Sequence, residues 1–178
     1  MSKKVIMDSQ TIARTISRIA NEILERNKGA KGLRIIGIRT RGIHLAGRIA
    51  DKIEELEGIK PPLGTLDITL YRDDFRRKSE WPKVQKTHIP FSVEDKNVIL
   101  VDDVLFTGRT TRAAIEAIMD YGRPALIQLA VLVDRRDYRE LPIQADYAGI
   151  KIMTLRTEKV DVLLKETDGR DEVVVVEG

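Results

Sequence analysis

The chain contains no cysteine. That excludes disulfides, thiol nucleophiles and cysteine-based zinc sites, and it makes a reducing compartment the natural setting. Aromatic residues make up only 4% of the 178 residues, so the core must be built from Ile, Leu and Val. No apolar run approaches the roughly 20 residues that cross a bilayer. The start, Met1-Ser2-Lys3-Lys4, has no apolar stretch of signal-peptide type behind it. The expected location is the cytoplasm, with no membrane association. A Gly-x-Ser-x-Gly nucleophile elbow is also missing. An excess of charge of one sign is lacking too: 31 Lys and Arg stand against 28 Asp and Glu, a net charge of +3. That balance is compatible with phosphorylated or nucleic-acid partners but too small to imply them. What remains is 42% hydrophobic and 33% charged residues, the make-up of one globular domain with a sizeable core.

Ile12, Ile16, Ile19, Ile23 and Leu24 recur at helical spacing. Asp8 or Ser9 can cap that helix, and Asn27-Lys28-Gly29 can end it. Leu33 to Ile38 reads as a short strand, followed by Arg39-Thr40-Arg41-Gly42 and a second helix from about Ile43 to Leu56. Thr65 to Tyr71 is a strand candidate. The next segment, Arg72 to Lys86, carries six Lys or Arg and three acids, with no apolar periodicity. A loop of that length in a compact domain is usually functional or disordered. Asn97 to Val101 is a buried strand, and a helix from Thr110 ends near Tyr121-Gly122. Ala125 to Val133 is apolar almost throughout, as expected of a strand covered on both faces in a parallel sheet. Val160 to Leu164 and Val173 to Val176 flank Asp168-Gly169 as a terminal hairpin. The expected fold is a doubly wound, mainly parallel α/β sheet flanked by helices, with a small β-rich hood. One domain spans residues 1–178, with a flexible loop at about 72–88 and the hood at about 134–178.

The chemistry concentrates after Val98-Ile99-Leu100-Val101. Asp102 and Asp103 stand where that strand is expected to end, and Thr107-Gly108-Arg109-Thr110 leads into a helix. Ligands of open α/β sheets bind at the carboxyl ends of strands. A helix start supplies backbone N–H donors for an anion. Successive residues of an extended chain face opposite ways, so one helix cap explains only one of the two acids. Together they suit two neighbouring hydroxyls or the hydration shell of Mg²⁺. Arg39-Thr40-Arg41-Gly42 occupies an equivalent strand-to-helix turn and suits a diphosphate. His44 and His88 read as ordinary surface histidines.

These motifs closely resemble the type I phosphoribosyltransferases, whose signature is four apolar residues, two acids, a variable stretch, then Thr-Gly and a helix. The resemblance implies that Asp102 and Asp103 hold the ribose hydroxyls of phosphoribosyl pyrophosphate. It implies that Val104, Leu105, Phe106, Thr107, Gly108, Arg109 and Thr110 wrap its 5-phosphate, mainly through backbone N–H groups. Arg39, Thr40, Arg41 and Gly42 would form the pyrophosphate loop. The segment after Arg72 would close over the site, with Arg72 joining Asp102 and Asp103 as a catalytic residue. Asp134 and Arg135 would line the base pocket. Mg²⁺ would bridge diphosphate and ribose, with no dedicated protein cage.

Within that family, the segments from Asp67 to Asp74, Leu129 to Arg135 and Arg139 to Ile143 look like one branch. That branch combines uracil phosphoribosyl transfer with attenuation of pyrimidine operons. The implied reaction is uracil plus phosphoribosyl pyrophosphate giving UMP and pyrophosphate. The implied partners are UMP, UTP and the operon mRNA leader, bound through Arg14, Arg18 and Arg139, in a homo-oligomer that is a dimer or larger. The alternatives are an RNA-binding attenuator with secondary enzyme activity, or a phosphoribosyltransferase for another base. This chain departs from the branch at Asn21, Asp137-Tyr138, Gln144 and the segment Lys151 to Glu158, which lacks a Pro-Thr-Ser pattern. Those departures remove cationic or hydrogen-bonding groups from the RNA surface and leave the phosphoribosyl site untouched.

Overall fold

A computed structural model describes residues 2–73 and 86–178. Its elements are β1 (Lys3–Met7), α1 (Ser9–Asn27), β2 (Leu33–Ile38), α2 (Arg41–Glu57), β3 (Leu63–Leu66), a 3-10 turn (Thr69–Tyr71), β4 (Asn97–Leu105), α3 (Arg109–Met119), β5 (Leu126–Arg135), β6 (Tyr147–Ile152), β7 (Glu158–Leu163), α4 (Lys165–Asp168) and β8 (Glu172–Glu177). Five strands form a parallel sheet in the order β3-β2-β4-β5-β6. The other three form an antiparallel sheet, β1-β8-β7.

α1 begins where its cap residue is. The Asp8 carboxylate accepts from the Thr11 backbone N–H at 2.8 Å. The helix ends at Lys28 in a left-handed conformation. Its predicted stripe, Ile12, Ile16, Ile19 and Ile23, is buried. Strand alternation then divides the core. Leu33 and Ile35 of β2 and Ile99 and Val101 of β4 pack with α1 and α2. Ile36, Ile38, Val98 and Leu100 pack with α3 on the other face. Two-sided burial is why these strands read as mostly apolar runs, with Arg34 the exception in β2.

Several expectations are corrected. Of the expected strand Thr65–Tyr71 only Thr65 and Leu66 are extended, as the end of β3: pairing with β2 stops at Leu66. The Asp67 carboxylate accepts from the Thr69 N–H at 2.9 Å, a local bond that competes with ladder pairing and turns the chain. β4 does not end at Val101 but runs to Leu105, because Asp102, Val104 and Leu105 stay paired with β5 after β2 has left at Val101. β5 likewise continues through Asp134 and Arg135, which pair with Lys151 and Ile152 of β6. β6 belongs to the parallel sheet rather than to the hood, and the hood sheet takes β1 from the start of the chain. Most of the loop expected at about 72–88 lies outside the described residues.

Arg48 of α2 fastens the hood to the core. It donates to Glu166 at 2.6 and 2.9 Å and to Asp171 at 2.7 and 3.0 Å. These bonds raise the Arg48 pKa and lower those of Glu166 and Asp171. Carboxylates with depressed folded-state pKa values stabilise above their unfolded pKa, and that stability is lost as pH falls through the folded value. Arg48→Met is expected to cost about 2 kcal/mol, between the values of exposed and buried pairs because Glu166 is partly screened by solvent, or roughly 4–8 °C in Tm. It should also flatten the acid side of the Tm–pH curve, which a thermal melt series from pH 7 down to pH 3 would read.

Candidate active site at the sheet switch point

The order β3-β2-β4 places the topological switch between β2 and β4. In open α/β sheets this is where two adjacent strand ends diverge and leave a crevice for ligand. Here the crevice is flanked by Arg39–Gly42 after β2 and by Asp102–Leu105 at the end of β4. The two sides touch at Gly42. A Cβ added there would lie 2.6 Å from the Val101 carbonyl oxygen and 3.2 Å from the Asp102 Cα.

Asp102 is buried and Asp103 is half-buried. Asp102 Oδ1 accepts from the Asp103 N–H, and Asp103 Oδ1 from the Val104 N–H, both at 2.8 Å. Burial, and then the neighbouring Asp103 charge, push the Asp102 carboxyl well above the usual carboxylate range. The pair is thus primed to gain from hydroxyl donors or a cation. Among the described residues, no cluster of three or more His, Asp or Glu is arranged to hold a metal. The adjacent oxygens of Asp102 and Asp103 are the hard donors that suit Mg²⁺ with retained waters.

After Leu105 the chain turns through Phe106 and Thr107 to Gly108, which has φ +95°. A left-handed residue at this point costs least as glycine. Gly108 caps α3 with no side chain of its own; Thr107 Oγ1 accepts from the Arg109 N–H at 3.3 Å, and the rest of the helix start presents backbone donors. Arg109, predicted to face phosphate, ion-pairs with Asp73 and donates from Nε to Glu140 at 2.6 Å. Thr110 is exposed. Arg72, Asp73, Thr107, Arg109 and Thr110 line a cavity of about 200 Å³.

On the β2 side, Thr40 is exposed and the Arg39–Thr40 peptide bond is cis. Arg39 donates to the Lys86 carbonyl at 2.8 and 3.1 Å. Arg41 donates to Asp168 of α4 at 2.9 and 3.2 Å. That contact holds the Asp168 carboxyl well below the usual range. His44 is half-buried on α2, and His88 bridges to Thr65.

Asp134 and Arg135 are each only 5% exposed. The Arg135 guanidinium lies 3.8 Å over the Phe106 ring and donates to Thr154 Oγ1 at 2.7 Å. Arg139, grouped from sequence with Arg14 and Arg18, is turned inward and donates to Phe106 O and Asp134 Oδ1, both at 2.6 Å. Beside it opens a cleft of about 500 Å³ whose lining includes Asp134, Arg136, Arg139 and Lys151. Arg14 and Arg18 remain exposed on α1. Arg18 also donates to Glu22 at 2.8 Å and to Gly149 O at 2.6 Å. Gln144 is exposed. Sequence reasoning missed the roles of Asp73, Glu140 and Asp168. Each meets its arginine from 31 or more positions away in a charge-rich segment, and no spacing signals that.

The chain is 56% identical over 170 residues to a protein of Desulfosudis oleivorans, covering 96% of this chain and 94% of that one. It is 57% identical over 171 residues to one of Deinococcus radiodurans, covering 96% and 93%. Both relatives carry the name "Bifunctional protein PyrR". A hypoxanthine phosphoribosyltransferase of Trypanosoma cruzi superimposes with a TM-score of 0.76 at 18% identity, covering 98% of this chain and 95% of the other. At that identity the likeness speaks for the fold alone. Residues 2–166 match the family described as the phosphoribosyl transferase domain, and the chain belongs to that family.

Proposed function

We propose that the protein transfers ribose 5-phosphate from phosphoribosyl pyrophosphate to N1 of uracil, releasing pyrophosphate. The observation that carries this reading is the pairing of Asp102 and Asp103 with the 106–110 turn on one wall of the switch-point crevice. Arg39–Gly42 forms the opposite wall. Asp102 and Asp103 accept from the ribose 2- and 3-hydroxyls. Backbone N–H groups of residues 106–110 hold the 5-phosphate, and Arg41, Arg72 and the 39–42 backbone hold the diphosphate. Asp102 and Asp103, with water and substrate oxygens, would hold Mg²⁺, which would supply charge neutralisation for a diphosphate leaving group. The bond from C1 to the diphosphate oxygen breaks as the bond to N1 forms, through an oxocarbenium-like transition state, and the N1 proton is released to water or the departing diphosphate. Catalysis rests on positioning and charge, with no covalent intermediate. Asp134 and Arg135 shape the base side.

The same reading gives the protein a second activity: binding of pyrimidine-operon mRNA leader, controlled by UMP and UTP. Relatives more than half identical over nearly the whole chain bear a name that begins "Bifunctional", and Arg14 and Arg18 stand exposed together on α1. It implies a cytoplasmic homo-oligomer.

Incubation with uracil, phosphoribosyl pyrophosphate and Mg²⁺ is expected to yield UMP, while hypoxanthine and guanine yield no nucleotide. Absence of UMP, or a purine nucleotide in its place, overturns the enzyme reading. In a filter-binding assay, leader RNA affinity should fall steeply with salt and respond to uridine nucleotides. Retention that ignores both would contradict regulation.

A further inference from the structure

The turn that follows β5 grips the turn that follows β4, carbonyl by carbonyl. Phe106 O accepts from Arg139 Nη1 at 2.6 Å. Thr107 O accepts from the backbone N–H groups of Glu140 and Leu141 at 3.0 and 3.2 Å. A trans peptide unit is planar, and its C=O and N–H point opposite ways. Pulling the Phe106 carbonyl towards Arg139 therefore aims the Thr107 N–H away from it. Pulling the Thr107 carbonyl towards residues 140 and 141 aims the Gly108 N–H in the same manner. The two donors come out on the side of the turn away from β5, just ahead of the start of α3. Successive N–H groups ending at a left-handed residue form an anion-binding nest, and Gly108 has φ +95°.

One of these two constraints depends on a side chain. The Gly108 donor is set by backbone bonds, whereas the Thr107 donor is set through Arg139. Arg139 is itself fixed by its bond to Asp134 at 2.6 Å, the residue paired with Leu105 at the end of the β4–β5 ladder. Phe106 is further held by the Arg135 guanidinium 3.8 Å over its ring and by the edge of Tyr138 at 6.1 Å. The peptide unit has little freedom except through the arginine.

We propose that Arg139 is a positioning residue for the 5-phosphate: it presets the Thr107 N–H as a phosphate donor and ties that donor to Asp134 on the base side. This rests on the proposed phosphate role of residues 106–110, and it gives Arg139 an internal task in place of an RNA contact. In this role Arg139 acts through the Phe106–Thr107 peptide.

The test compares UMP with uridine, which differ only by the phosphate, as ligands titrated calorimetrically into the full chain. Wild type should bind UMP far more tightly than uridine. Arg139→Gln should weaken UMP by roughly tenfold, the loss of one oriented donor to an anion, and leave uridine unchanged. In turnover, KM for phosphoribosyl pyrophosphate should rise with kcat nearly constant. Arg139→Lys keeps the positive charge beside Asp134, and with it the fold. Its ammonium carries three donors and can serve Phe106 O beside the carboxylate, so it should restore part of the preference for UMP. Folded Arg139→Gln retaining the wild-type UMP-to-uridine ratio overturns the proposal, as does equal weakening of both ligands. Loss of leader RNA binding with that ratio intact would instead make Arg139 an RNA contact. A wild-type protein with no preference for UMP would refute the phosphate role of the turn itself, a separate failure.

Discussion

Replacing Asp102 and Asp103 together by asparagine is expected to abolish UMP formation while leaving a folded protein that melts no lower than wild type. The functional half follows from chemistry. Asparagine keeps the shape but carries no charge, so two charge-assisted hydrogen bonds to the ribose and the attraction for Mg²⁺ are lost together. At about 1.5–3 kcal/mol for each such bond, the loss in kcat/KM is roughly 10²–10⁴-fold before any metal effect. The stability half follows from linkage. Burial and the Asp103 charge raise the Asp102 pKa in the folded state. A carboxyl raised in this way favours folding in its protonated form. Its ionisation costs stability as pH climbs from the unfolded pKa through the folded one, and above both the full penalty applies. Asparagine removes that penalty. The double variant should therefore gain stability at pH 7 relative to wild type and lose the advantage in acid. Thermal melts at pH 7 and pH 3, beside an assay of UMP formation, check both halves. A variant that unfolds would assign the acids to the fold, and one that keeps activity would remove them from the site.

Gly42→Ala is expected to damage stability and phosphoribosyl pyrophosphate binding at once. The added methyl would sit 2.6 Å from the Val101 carbonyl oxygen, well inside contact distance, and that atom is backbone in the middle of the sheet. Neither wall can yield by turning a side chain. The start of α2 must move away from β4, which opens the crevice between the two anion-binding turns. Overpacking of this kind costs about 1–3 kcal/mol, or roughly 2–12 °C in Tm. The kinetic loss should exceed what that destabilisation explains, because a displacement of about 1 Å between catalytic groups can cost around 100-fold. A melt paired with KM for phosphoribosyl pyrophosphate separates the two contributions. A normal KM in a destabilised variant would mean that the 39–42 wall does not hold the diphosphate.

The parallel core was legible because two-sided burial writes itself as largely apolar runs in β2, β4 and β5, with Arg34 and Gln128 as interruptions, and because α1 carries both its stripe and its cap. β1 and β6 were not. Lys3-Lys4-Val5-Ile6-Met7 pairs only with β8, from the far end of the chain, and Ala148-Gly149 interrupts β6 with weak strand formers. The acid pair and the Thr-Gly turn were visible as residue types at a strand end. Their setting was not: β4 continues past Val101 only because β5 extends beside it. Arg139 shows the limit most clearly. By composition it belongs to a run of surface charges, Asp134 to Glu140. Only three-dimensional pairing turns it towards Phe106 and Asp134.

The most direct measurement is a crystal structure of the protein with UMP. The ribose hydroxyls are predicted to lie within hydrogen-bond distance of Asp102 and Asp103. The phosphate is predicted on the backbone N–H groups of residues 106–110, with the uracil directed towards Asp134. UMP seated with its phosphate on Arg39–Gly42, or with its ribose away from both acids, would contradict the account.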